Sequence, residues 1–315
     1  MKLVVAGGGV LGSQIAFQAA YSGHDVTIWL RSEGSIARTQ PKLDSVRKSY
    51  EKAIKEMAKG TGVWCNGIAP NAKKFDEKKA LEQLKNTVVK LELDLEKAVK
   101  GADLIIESVS EQKQDKINFY KKLAGVVGGK TIIATNSSTM LPSTFAKYTQ
   151  HETKYLAMHF ANSIWKNNIT EVMAQPQTSA QTFKKAQEFA ESMNMIPLPV
   201  KKEKSGYLLN SMLVPFLLSA LDLYANGVSD PASIDKAWKS GTGAPNGPFE
   251  IMDVVGIKTT YDIIEQYQKV PSLINPLLKK MMLPYNYKKM AEILKKMLDS
   301  GKTGVAAGEG FFKYK

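Results

Sequence analysis

Residues 1–20 constrain the fold of this chain more tightly than any other stretch. Met1–Ala6 is a short apolar run, Gly7-Gly8-Gly9-Val10-Leu11-Gly12 follows at once, and Ser13–Ala20 continues with helical character. Strand, tight turn and helix N-terminus are the context in which G-x-G-x-x-G signals a dinucleotide site. Gly7 permits the turn, Gly9 lets a pyrophosphate approach the backbone, and Gly12 lets helix and strand pack closely. Unpaired N–H groups at the helix start, and its positive dipole end, favour phosphate charge. Gly7, Gly9, Val10, Leu11 and Gly12 are therefore read as the cofactor-binding turn.

At 315 residues the chain can bury a large core, and its length implies about two domains. A hydrophobic content of 43% fits a soluble globular protein. No stretch approaches the roughly 18 apolar residues of a spanning helix, and the N-terminus lacks a signal-peptide pattern. Cys65 is the only cysteine, so there is no intrachain disulfide and no zinc cluster; it reads as a bystander thiol in a reducing cytoplasm, and no metal site is expected. Net charge is +13, carried mostly by dispersed lysines, with Arg31, Arg38 and Arg47 the only arginines. Without a basic-aromatic motif, nucleic acid is not an expected partner. The charge fits a solvated surface and equally a field that attracts phosphorylated ligands.

Apolar runs at Asp25–Leu30, Val88–Leu93, Ala102–Val109, Thr131–Thr135, Tyr155–Phe160, Ile169–Ala174 and Ile196–Val200 read as further strands. Helical stretches separate many of them: Pro41–Lys59, a helix ending near Lys85, Asp94–Gly101, Glu111–Ala124 and Thr178–Met193, with Gly60–Lys73 as a loop. This alternation predicts an α/β Rossmann-type, doubly wound parallel sheet over residues 1–200, with a helical insertion around 35–87. Beyond Lys201 strand signals vanish. Ser205–Tyr224, Pro231–Ser240, Thr259–Gln268 and Tyr287–Ser300 show helical periodicity, predicting an all-α C-terminal domain over 201–315. Lys48, Lys52, Lys55 and Lys59 share one helix face. Such a stripe is ordinarily solvated; binding of a phosphorylated ligand is the functional alternative.

Dinucleotide folds often carry an acid at the tip of the second strand, where it binds the adenosine ribose. Here Leu30 stands in that place, followed by Arg31 and Ser32. A cation and a hydroxyl suit the 2′-phosphate of NADP(H), which is favoured over NAD(H); an NAD enzyme with a surface arginine is the alternative. Ligands bind beyond the carboxyl ends of the strands. Three polar clusters lie there: Glu107–Glu111, Asn136–Thr139 and His159–Asn162. Of the three histidines, only His159 ends an apolar strand, and Glu171 interrupts the next one. Imidazole chemistry suits proton transfer near neutrality. A His–Glu pair at this stage fits a catalytic dyad and a structural ion pair alike.

These residues resemble the L-3-hydroxyacyl-CoA dehydrogenase family over essentially the whole chain. The resemblance runs through the glycine turn, Glu107-Ser-Val-Ser-Glu111 with Lys116, Thr135-Asn136-Ser137-Ser138, His159 with Glu171, and Gly206-Tyr-Leu-Leu-Asn210. It continues through Leu213-Val-Pro215 and Gly247–Gly256 to Gly308–Phe312. It implies that His159 is the general base and acid, that Glu171 orients it, and that Ser138 and Asn210 hydrogen-bond the reacting oxygen or the neighbouring carbonyl. Glu111, Lys116, Asn136 and Asn162 fall on cofactor-binding positions. It further implies a small, CoA-linked acyl substrate, a place in fatty acid metabolism, and a homodimer formed through the helical domain, for which Met212, Leu213, Phe216 and Leu217 are candidate surface.

The chain departs from the family pattern at several positions. Ser163 replaces a common proline, Ile164–Asn168 replaces an apolar proline-rich stretch, and Ser211 and Ala306 replace a common arginine and lysine. These features look most like the diketoreductase branch. Diketoreductase or gulonate-dehydrogenase-like chemistry on a free or esterified acid is the alternative activity, and a crystallin-like, non-catalytic cofactor-binding protein is the alternative of another class. The 6-phosphogluconate-type dehydrogenases match less well, since they use a catalytic lysine.

Overall fold

β1 (Lys2–Ala6) turns Leu3 and Val5 to one side and Val4 and Ala6 to the other, and all four are buried. β4 (Leu104–Glu107) and β5 (Ile132–Thr135) alternate in the same way, so the centre of the sheet is covered on both faces. That is why its strands read as continuous apolar runs rather than alternating ones. In this computed structural model, the residues described are 1–268 and 285–314. The chain divides into two compact units, Met1–Leu208 and Leu209–Lys315.

The first unit is an eight-stranded sheet of order β3-β2-β1-β4-β5-β6-β7-β8, adding β2 (Asp25–Trp29), β3 (Lys90–Glu92), β6 (Tyr155–Phe160), β7 (Ile169–Ala174) and β8 (Ile196–Val200). Helices α1 (Val10–Tyr21), α2 (Glu33–Lys59) and, from the far end of the unit, α7 (Ala180–Ser192) pack on one face. α4 (Leu95–Val99), α5 (Lys113–Ala124) and α6 (Ala146–Thr149) cover the other; α3 (Glu77–Asn86) follows α2 on the first side. Strand order reverses between β1 and β4, and the crevice beyond that point is where doubly wound sheets bind ligands.

Two expectations need correction here. The sheet is not wholly parallel, because β6 and β7 pair antiparallel. Only the helix-free segment 161–168 joins them, whereas a parallel return needs a crossover of a dozen or more residues. The antiparallel register sets His159 directly opposite Glu171. In addition, α2 starts at Glu33 rather than at Pro41. Ser32 is its extended N-cap, and Pro41 lies inside the helix. A proline there costs about 3 kcal/mol. Burial of Leu43, Val46, Ile54 and Met57, at roughly 1.5–3 kcal/mol each, outweighs it.

The units meet at Leu208, beyond the sequence-based boundary at 200. Residues 205–207 belong to the first unit because they bond to its 137–139 segment. Ser205 Oγ donates to Thr139 O (2.7 Å), Gly206 N to Ser138 O (3.2 Å) and Tyr207 OH to Ser137 O (2.8 Å). α8 therefore begins at Leu209, not Ser205: Gly206 (φ +80°) and Tyr207 (φ +52°) are left-handed and cannot start a right-handed helix.

The second unit holds α8 (Leu209–Ala225), α9 (Pro231–Thr242), α10 (Pro248–Val255), α11 (Ile257–Gln268) and α12 (Tyr287–Asp299). α10 was not anticipated; it is short and lies inside the Gly247–Gly256 motif. Buried Asp235 accepts from Phe249 N and Glu250 N at its start. Buried Asp253 accepts from Phe311 N, Phe312 N and the Tyr314 hydroxyl. The two glycine-rich motifs of this unit are thus built around buried carboxylates that close its chain. No helix among the described residues is long and apolar enough to cross a membrane.

Candidate active site

The glycine turn is shaped by its neighbours. A Cβ on Gly7 (φ +119°) would lie 2.4 Å from Ser108 O, and one on Gly12 would lie 2.2 Å from Gly7 O. Both positions require glycine for packing against β4 and within the turn. Gly9 differs: its backbone is extended, and a Cβ there would meet nothing within 4 Å. Gly9 is the N-cap of α1, so this open position adjoins the first helical turn, whose Val10, Leu11 and Gly12 N–H groups have no partner within the helix. A pyrophosphate needs such a cradle, so these residues fit a nicotinamide dinucleotide.

At the tip of β2, Leu30 is buried while Arg31 and Ser32 are exposed. Ser32 Oγ lies 3.0 Å from Ser35 Oγ, and Arg38 Nη2 donates to Ser35 Oγ (3.1 Å). Lys42 Nζ donates to Gly8 O (3.2 Å). Lys42 thus sits against the glycine turn, and Arg38 against the start of α2 beside Ser32 and Ser35. Sequence reasoning missed both; beginning α2 at Glu33 would have put them on the helix face above the turn. The Lys48–Lys59 face is exposed and laced by Lys52–Glu56 and Lys55–Glu51 pairs.

Beside the turn, Glu107 closes β4 with its carboxylate fully buried. Lys116 Nζ (2.7 Å) and Val109 N (2.9 Å) donate to its Oε1, and Tyr120 OH (2.9 Å) and Thr135 Oγ1 (2.8 Å) to its Oε2. Burying an ion is tolerable only with such complete pairing. Lys116, 1% exposed, reaches on to Glu111 Oε2 (3.1 Å). Burial pushes the Glu111 carboxyl up, but the Lys116 charge and bonds from Ser137, Lys116 and Thr139 hold it below the usual range. Lys116 is thus an enclosed brace, and Glu111 is the more open group.

His159 is buried at the end of β6, with Nδ1 2.8 Å from Glu171 Oε2. A carboxylate only accepts, so in the neutral ring Nδ1 carries the hydrogen and Nε2 keeps its lone pair. Nε2 forms no hydrogen bond among the described residues. The second carboxylate oxygen, Oε1, accepts from Leu208 N (2.7 Å). The Tyr207 ring stacks on the imidazole at 4.6 Å and 20°; its hydroxyl is pushed far up by burial and by nearby carboxylates and stays protonated. Asn136 Oδ1 accepts from Phe160 N (3.2 Å), tying the loop after β5 to β6. Ser138 is half-buried, and its hydroxyl is unbonded among the described residues.

Asn162 is exposed in the loop after His159. The next residue, Ser163, is left-handed (φ +57°) and donates its N–H to Gln14 Oε1 (2.8 Å). Proline could supply neither feature, which accounts for this departure from the family pattern. Asn210 lies in the second unit, at the start of α8. Cys65 is buried and its thiol is pushed up by burial. Among the described residues no group of His, Cys, Asp and Glu is arranged to hold a metal.

The arrangement brings a phosphate cradle, a braced imidazole with a free nitrogen and a free hydroxyl to one edge of a single sheet. The family model of the 3-hydroxyacyl-CoA dehydrogenase NAD binding domain matches residues 2–204, and that of the 3-hydroxyacyl-CoA dehydrogenase C-terminal domain matches residues 206–314. The human mitochondrial hydroxyacyl-coenzyme A dehydrogenase is 30% identical over 313 residues, covering 99% of this chain and 91% of that protein. A 3-hydroxybutyryl-CoA dehydrogenase of Clostridioides difficile is 30% identical over 286 residues, covering 90% of this chain and 94% of that protein. A solved structure described as substrate-directed dual catalysis of dicarbonyl compounds by diketoreductase shares 40% identity at a TM-score of 0.81, covering 100% of this chain and 99% of that one.

Proposed function

The chain belongs to the 3-hydroxyacyl-CoA dehydrogenase family, and from that premise we propose that it interconverts a 3-hydroxyacyl and a 3-oxoacyl group, with a short-chain CoA ester such as acetoacetyl-CoA as substrate. It is a nicotinamide-dinucleotide oxidoreductase acting on CH–OH. One observation carries the reading: the His159–Glu171 cross-strand pair leaves Nε2 free on the sheet that also holds the glycine cradle.

The dinucleotide supplies a nicotinamide C4 that accepts or returns hydride. His159 Nε2 takes the 3-hydroxyl proton as C3 becomes a carbonyl, and returns it in the reductive direction. Glu171 fixes the tautomer and stabilises the imidazolium. Ser138 donates to the reacting oxygen as charge develops on it. Asn210 matches the family's second donor by its motif. Glu111, braced by Lys116, would hold the nicotinamide-ribose end of the dinucleotide together with Asn162, and Asn136 would add a further cofactor contact. Arg31 and Ser32, joined by Arg38, favour NADP(H) through its 2′-phosphate.

A second reading, reduction of a CoA-free diketo compound, draws on the 40% identity to the diketoreductase structure. The protein is further proposed to be a cytoplasmic homodimer formed through its helical unit; of its candidate surface residues on α8, Met212 is exposed and Leu213 and Phe216 are half-buried, whereas Leu217 is buried in the core of that unit and offers no surface. The test is turnover of acetoacetyl-CoA, free acetoacetate and a diketo ester, each with NADPH and NADH. Highest kcat/KM for acetoacetyl-CoA with NADPH is expected. Preference for the diketo ester would transfer the assignment to the second reading, and preference for NADH would remove the 2′-phosphate role of Arg31. Replacing Lys52 and Lys55 with alanine should raise KM for the CoA ester alone if their face binds coenzyme A.

A further inference from the structure

The geometry points to Tyr207 as a positioning residue of the proton-transfer dyad, whose anchored ring fixes the plane of His159 while the adjoining Leu208 N–H fixes Glu171. This rests on the reading of His159 as the proton-transfer group. A left-handed backbone is uncommon for a bulky side chain, yet Gly206 and Tyr207 adopt it in succession. The turn is held because residues 205, 206 and 207 bond, in reverse order, to the carbonyls of 139, 138 and 137. The same turn brings two groups to the dyad. The phenol ring lies nearly parallel to the imidazole, at 4.6 Å and 20°. The Leu208 N–H reaches Glu171 Oε1 at 2.7 Å.

Glu171 restrains the imidazole through Nδ1 alone, and one hydrogen bond leaves the ring free to tilt about it. A ring stacked on its face removes that freedom and keeps Nε2 directed outward. The face of an aromatic ring also attracts a cation, so it favours the imidazolium formed when His159 takes the proton. The charged and titratable groups around this pair are Glu171 on β7, Glu107 at the end of β4, Glu111 beyond it and Glu203 ahead of the turn; Lys116 pairs with both Glu107 and Glu111. Tyr207 also packs against Ala157, Met173 and Val200. Core filling alone would affect stability and leave the pH profile where it is.

Tyr207→Phe removes the anchor and keeps the ring; Tyr207→Leu removes both. Each is assayed beside His159→Gln for kcat, KM and dinucleotide affinity across pH, with the His159 Hε1 resonance followed by NMR. Tyr207→Phe should lower kcat about five-fold and move Hε1 toward its unstacked position, with KM unchanged. Tyr207→Leu should lower kcat about fifty-fold and shift the acid limb of the oxidative reaction about half a pH unit lower, since the imidazolium loses its stacked face. Dinucleotide affinity should be unaltered in both. A Tyr207→Phe enzyme with wild-type kcat and Hε1 shift overturns the proposal, whether or not Tyr207→Leu folds. So does a folded Tyr207→Leu enzyme with wild-type kcat and acid limb. Retained turnover in His159→Gln would instead remove the underlying reading of the site.

Discussion

Glu171 meets His159 across a β-ladder, so backbone pairing and side-chain chemistry enforce the same contact. Its charge matters most when the imidazole is protonated. Glu171→Gln keeps a carbonyl oxygen able to accept from Nδ1 but removes the charge, and should lower kcat about 10- to 100-fold with KM little changed. An unaltered kcat would make the pair a structural contact. His159 was legible in the chain because it alone among the histidines ends an apolar strand, and Glu171 because a carboxylate inside an apolar strand requires a partner. Tyr207 was not legible. Its role depends on a left-handed turn, and the Ser205–Tyr224 stretch carries a helical pattern that hides it. Arg38 and Lys42 were missed for a related reason: Pro41 read as a helix start when the helix was already two turns old.

The glycine turn separates requirements of the fold from requirements of the ligand. Gly12 has Gly7 O against it and Gly9 has open space. Gly12→Ala should therefore lower the melting temperature and abolish dinucleotide binding together. Gly9→Ala should leave the melting temperature unchanged while raising the dinucleotide Kd about ten-fold or more, a loss of about 1.4 kcal/mol. Thermal melts and fluorescence titration with NADPH check both, and unchanged affinity in Gly9→Ala would remove the pyrophosphate from this turn. Strand positions were readable because buried central strands show as dense apolar runs; β6, β7 and β8 match their sequence-based limits residue for residue. Strand direction was not readable. The antiparallel turn of β7 follows from the helix-free segment 161–168, and it is this reversal that creates the dyad. α10 escaped notice because eight residues, Pro248–Val255, are too few to display a period.

Across the whole molecule, the two-unit division was visible in the loss of strand signals after Lys201, whereas its position at Leu208 depends on backbone bonds from residues 205–207 that no local pattern announces. The first unit also carries a pH signature. Burial, foremost, pushes Tyr50, Tyr120 and Tyr155 well above the usual tyrosine range. In the unfolded chain these groups ionise near pH ~10. Below that pH both states keep their protons and the contribution to stability is complete. As pH rises past it, only the unfolded state ionises, so stability falls. Melting temperature should decline above about pH 10, and absorbance of these buried tyrosinates should appear with unfolding; ionisation in the folded protein would contradict the burial. The proposed activity as a whole depends on proton transfer by a strand-end imidazole. Stopped-flow oxidation of NADPH by acetoacetyl-CoA in His159→Gln tests it most directly. The expected result is a hydride-transfer rate at least 100-fold below wild type with NADPH affinity preserved; a wild-type rate would contradict it.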